Sequence, residues 1–99
     1  AFLERFFAAH PRTPLGVITP IPSVRDGGEC NKAGVALEAY RAVLRKLAPR
    51  YAGVQLIEGP SLVPADRQFF CDGIHPNNAG MAAIARALAP ALSRLLAAR

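Results

Sequence analysis

The sequence predicts an α/β fold: part of a three-layer α/β/α parallel sheet, with two strands and three helices in this chain. Helix-like and strand-like patterns alternate in the order helix, strand, helix, strand, helix. The two strand-like runs are continuously apolar, the mark of strands covered on both faces. Two strands are too few for a self-sufficient sheet. Residues 1–99 are therefore expected to be the C-terminal half of a single domain, its N-terminal half lying outside this chain.

Each element has a local reason. Phe2, Leu3, Phe6 and Phe7 recur on one helical face, so residues 1–9 read as a helix, and His10-Pro11 stops it. Leu15-Gly16-Val17-Ile18-Thr19, between Pro14 and Pro20, reads as a buried strand. Pro20 to Asn31 is a loop rich in proline, glycine and charge. Lys32 to Ala48 is the second helix, with Ala33, Ala36, Leu37, Tyr40, Val43, Leu44 and Leu47 as its apolar stripe and Pro49 as its stop. Glu38 and Arg41, one turn apart on it, are placed to pair.

Gly53-Val54-Gln55-Leu56-Ile57 is the second strand, ended by Gly59-Pro60. A loop covers Ser61 to Asn78, and a last helix runs from about Ala79 to Ala97. Met81, Ile84, Ala85, Leu88, Leu92 and Leu95 lie on one face of that helix, with Asn77 or Asn78 as its cap. Pro90 removes one internal hydrogen bond and is expected to kink it.

Bulk properties exclude several classes of function. The hydrophobic fraction of 52% is that of a packed protein, although much of it is alanine. No uninterrupted apolar run approaches the ~20 residues of a membrane span, and no basic segment leads into an apolar run as in a signal peptide. The net charge of +5 is spread over the chain, with the aromatics away from the arginines, so no nucleic-acid surface is read. A metal site needs three or four clustered ligands, and two distant histidines with scattered carboxylates do not supply them; no cofactor is expected.

The stretch that carries chemistry is Asp72-Gly73-Ile74-His75-Pro76-Asn77-Asn78-Ala79-Gly80, just before the last helix. Histidine is the simplest general base near neutral pH. It works when an acceptor holds one ring nitrogen, which fixes the tautomer and stabilises the imidazolium. A carboxylate three residues upstream can do this from the same turn. Gly73 lets the turn form, and Pro76 holds His75 extended. The loop follows the carboxyl end of a strand, where sites in open α/β sheets occur. The bland alternative is a turn histidine satisfied by backbone, after an ordinary Asp-Gly turn.

At these residues the chain resembles the SGNH (GDSL-type) hydrolases, whose last motif is Asp-x-x-His followed by proline and glycine ahead of a C-terminal helix. Asp72, His75, Pro76 and Gly80 match it. The resemblance implies a flavodoxin-like parallel sheet and a serine esterase acting on acyl esters such as small esters, acetylated carbohydrates or lipids. Asp72 would be the orienting acid and His75 the base. The family's Gly-Asp-Ser nucleophile and its oxyanion glycine and asparagine have no counterpart here. Ser23 lies between Pro22 and Val24, Ser61 follows Gly59-Pro60, and Ser93 is inside a helix. The serine is therefore expected on a further segment or second chain, the N-terminal half of the same domain. The alternatives are a non-catalytic α/β binding or assembly module, and an inactive proteolytic fragment.

The remaining candidates keep two readings each. Arg25, Asp26 and Glu29 line a substrate mouth or form a solvated loop. Phe69 and Phe70 wall an acyl pocket or anchor the core. His10 sits where a helix ends and suits its dipole. Cys30 and Cys71 lie beyond the carboxyl ends of neighbouring strands, so they either form a disulfide or are unrelated thiols. The bridge would contribute about 3–4 kcal/mol in the chain-entropy model and indicate a secreted or periplasmic protein. Cys71 is a poor nucleophile beside Asp72, whose charge opposes a thiolate.

Overall fold

The computed structural model describes residues 2–23 and 36–97. Their order is α1 (Phe2–Ala9), β1 (Leu15–Ile18), α2 (Leu37–Leu47), β2 (Val54–Ile57) and α3 (Asn78–Ala97), with short 3-10 turns at Ala48–Arg50, Gly59–Ser61 and Arg67–Phe69. The architecture is mixed α/β. The expected start of the second helix, at Lys32, lies outside the described residues; Ala36, expected inside that helix and on its apolar stripe, is instead extended and precedes it, and the helix begins at Leu37. Pro49 ends it as expected, through the first turn of a 3-10 segment.

β1 and β2 pair in parallel, in the register Leu15↔Val54 to Ile18↔Ile57. A parallel pair needs a crossover connection, and α2 lies in it. Two further bonds carry the ladder one residue past each end: Leu15 N–H to Gly53 O at 3.0 Å and Thr19 N–H to Ile57 O at 2.9 Å. Successive residues of β1 meet different helices, as the two-residue period of a strand requires. A Cβ on Gly16 would stand 3.3 Å from Leu95 of α3. Val17 lines an apolar cleft of about 260 Å³ with Phe2 and Leu3 of α1, Leu44 and Leu47 of α2, and Tyr51.

The core is small and sits where α3 crosses the end of β2. Ile57, Leu62 and Ala91 are buried together, with Ile84, Ala87 and Leu88 packed on them. Val63 and Phe70 are buried as well. The expected stripes are only half right. Leu44, Leu47, Ile84, Leu88 and Leu95 face inward, but Tyr40, Val43, Met81 and Leu92 are exposed, as are Phe2 and Ile18. β1 is correspondingly half-buried rather than covered on both faces.

α3 runs through Pro90 without a break. Among the described residues it is the one helix long and apolar enough, by length and composition, to cross a membrane. Its best window has a mean hydropathy of 1.2. It reaches that value through alanine, across Arg86 and Arg94, and one of its faces packs on the core.

Candidate active site

Asp72 and His75 sit on a turn closed like a miniature hairpin. Phe70 and Pro76 form an antiparallel bridge at its base. Proline has no N–H, so the neighbours supply the closing bonds: Cys71 N–H to His75 O at 2.8 Å and Asn77 N–H to Phe69 O at 3.0 Å. Gly73 turns the chain with φ 82°, a conformation that a side chain would strain.

Within the turn the Asp72 carboxylate is held by three donors. Oδ1 accepts the backbone N–H of His75 at 2.7 Å and of Ile74 at 2.9 Å. Oδ2 lies 2.6 Å from His75 Nδ1. The His75 N–H, then the His75 ring, then the Ile74 N–H hold the carboxyl well below the ordinary carboxylate range. An ionised Asp72 accepts only, so Nδ1 carries a ring proton; in the neutral ring the lone pair is then on Nε2. Both side chains are open to solvent, at 75% for His75 and 52% for Asp72. Their link is therefore a matter of orientation more than of strong charge attraction.

The turn is joined to α3 by Asn77. Its Oδ1 accepts from Gly80 N–H at 2.9 Å, so Asn77 caps the helix; Asn78 is the first helical residue. Gly80 is buried against the preceding segment, where a Cβ would come 2.2 Å from Phe69 O. Before the turn, Asp66 caps the 3-10 segment by accepting Gln68 N–H at 3.0 Å.

A second polar cluster ties the carboxyl ends of the strands to α2. Buried Thr19 donates its hydroxyl to Glu58 Oε1 at 3.0 Å and accepts Gly59 N–H at 2.8 Å. Arg45 grips Glu58 with Nε at 2.8 Å and the second guanidinium nitrogen at 3.1 Å, and reaches Glu38 at 2.6 Å. Arg41 pairs with Glu38 at 3.2 Å, as its spacing predicts. Unforeseen is that Arg41 is buried and donates to Pro20 O at 2.8 Å and Ile21 O at 2.9 Å. Arg45 first, then Arg41, lowers the Glu38 pKa; Arg45, then Thr19, lowers that of Glu58.

The other candidates separate. Phe70 is a buried anchor and Phe69 is half-buried. His10 ends α1 with its N–H on Phe6 O at 2.8 Å and its ring beside that of Phe6. Ser61 donates its hydroxyl to Glu58 O at 2.7 Å, Ser93 lies within α3, and Ser23 is buried after Pro22. Arg25, Asp26, Glu29 and Cys30 lie outside the described residues; Cys71 is exposed, with Sγ 3.8 Å from Pro76 O. Among the described residues no group of three metal-ligating side chains gathers. Comparison with protein-family models, with curated proteins and with solved structures gives no match.

Besides the burial of Arg41, sequence reading missed one feature at the turn and one at the strand ends. The donor side of Asn77 is not visible in a capping pattern. The Thr19–Glu58–Arg45 cluster joins residues 39 and 13 positions apart, with no local signal.

Proposed function

We propose that Asp72 and His75 are the orienting acid and general base of a serine esterase of the SGNH type. The observation that carries the reading is the Nδ1–Oδ2 contact of 2.6 Å on a turn whose backbone N–H groups hold the other carboxylate oxygen. A turn histidine satisfied by backbone has no need of that arrangement. The solvent-open ring leaves Nε2 for a second group.

In this reading a serine from the N-terminal half of the domain, outside this chain, attacks the carbonyl carbon of an acyl ester. His75 Nε2 takes the hydroxyl proton as the new C–O bond forms and returns it to the departing alkoxide. Water then repeats the sequence on the acyl-serine and releases the carboxylic acid. Asp72 keeps the proton on Nδ1 and balances the imidazolium. The open faces of Tyr40, Val43, Met81 and Leu92 fit a chain that completes a three-layer, flavodoxin-like domain with further protein. Small esters, acetylated carbohydrates and lipids are the substrate class that the resemblance implies.

The test is p-nitrophenyl acetate hydrolysis with fluorophosphonate labelling, read by the intact mass of every polypeptide in the purified protein. Wild type is expected to hydrolyse the ester and to carry the adduct on a serine outside residues 1–99; His75→Ala is expected to lose both. No adduct on any polypeptide, or undiminished hydrolysis in His75→Ala, refutes the reading.

A further inference from the structure

We propose that Asn77 is a positioning residue for the Asp72–His75 pair, a role that rests on the esterase reading above. Three bonds from this one residue converge on the base of the turn. Its backbone N–H reaches Phe69 O at 3.0 Å. Its side-chain Nδ2 donates to Gln68 O at 2.8 Å. Its Oδ1 accepts Gly80 N–H at 2.9 Å.

The segment entering the turn and the helix leaving it thus meet on a single amide. Pro76 cannot donate, so between His75 and α3 the first backbone donor that can close the turn is Asn77. Cys71 N–H on His75 O closes it from inside, but that bond ties the turn only to itself. Asn77 ties it to α3, whose Gly80 lies against Phe69 and whose Ile84 and Leu88 pack on the core. The direction of His75 relative to the rest of the protein is set through this link.

A plain helix cap makes a different demand. It needs only an acceptor, and serine, aspartate and asparagine serve about equally. The observed geometry also needs a donor aimed at Gln68 O. Aspartate has no such donor. Serine has a single hydroxyl on a side chain one atom shorter, and cannot accept from Gly80 while reaching Gln68.

The experiment compares wild type, Asn77→Ser and Asn77→Ala in the purified protein, with every polypeptide it contains. The readouts are the Asp72 carboxyl titration by 13C NMR and the His75 ring tautomer from 15N shifts, taken on the folded population fixed by circular dichroism. Positioning predicts that both variants let the turn relax: the Asp72 midpoint rises by about one unit, a roughly tenfold weaker hold, and the His75 ring shows a mixture of tautomers. A cap alone predicts that Asn77→Ser matches wild type and that Asn77→Ala changes helix content without moving Asp72 or His75. Should Asn77→Ala unfold, Asn77→Ser decides by itself. An unchanged titration and tautomer in Asn77→Ser overturns the positioning role and leaves the triad reading intact. Undiminished ester hydrolysis in His75→Ala removes the triad, and the positioning role with it, whatever Asn77→Ser shows.

Discussion

Arg41 offers the sharpest check on how the carboxyl edge of the sheet is held. It is buried, and its guanidinium donates at 2.8 and 2.9 Å to the two carbonyls that follow β1, Pro20 O and Ile21 O. Arg41→Met keeps the stem length and removes both of these donors, together with the pairing to the exposed Glu38, which adds little. Hydrogen bonds to a charged group contribute about 1.5–3 kcal/mol each, so the gross loss is about 3–6 kcal/mol. Part of that is offset, because a buried guanidinium carries a desolvation penalty that methionine lacks; the net loss expected is about 2–4 kcal/mol. With a urea slope of ~1.5–2 kcal/mol/M, the unfolding midpoint falls by about 1–2.5 M. Arg41→Lys can satisfy one carbonyl but not both, and is expected to fall by about half as much. The assay is urea unfolding followed by far-UV circular dichroism. A midpoint for Arg41→Met at or above that of wild type refutes the reasoning: it means that the two carbonyls do not depend on the guanidinium.

Two further outcomes are expected. Gly80→Ala must open the contact with Phe69 O, which a Cβ would approach to 2.2 Å. Overpacking of about 1–3 kcal/mol is set against a helix-propensity gain of up to ~1 kcal/mol, so thermal unfolding is expected at lower temperature; an unchanged or higher Tm contradicts this. The Asp72 carboxyl is held below its ordinary value, so the unfolded chain binds more protons than the folded one at acid pH. Its contribution is complete above the unfolded value near 3.8 and is lost as pH falls through the folded one. Asp72→Asn is expected to flatten the acid limb of stability against pH in urea titrations between pH 5 and pH 2; an acid limb as steep as wild type removes the assigned cause.

The elements were legible because each had punctuation that physics enforces. Pro14 and Pro20 bracket β1, Pro49 stops α2, and the apolar runs at 15–19 and 53–57 match a parallel pair. The Asp72–His75 pair was legible because it is local: three residues apart, with glycine and proline at the positions a tight turn needs. The inward face of α3 was harder to place. Alanines at 82, 83, 85, 87, 89 and 91 give the helix no clear phase. Met81 and Leu92 therefore looked as apolar as Ile84 and Leu88, which are the ones that pack. Arg41 is legible in sequence only as the partner of Glu38, three residues before it. Its two carbonyl acceptors lie 20 and 21 residues away and are not legible there.

The Asp72–His75 turn has a consequence for tolerance to change. The carboxylate, the imidazole and the two amides that clamp the carboxylate all fall within residues 72–75. A drift in strand spacing or helix tilt that leaves the Asn77 bonds to Phe69, Gln68 and Gly80 intact therefore carries the pair along as one piece. It alters the distance to an incoming nucleophile without disturbing the alignment of base and acid. Sequence divergence across the scaffold can then retune how fast such a site works while leaving its proton-handling unit whole.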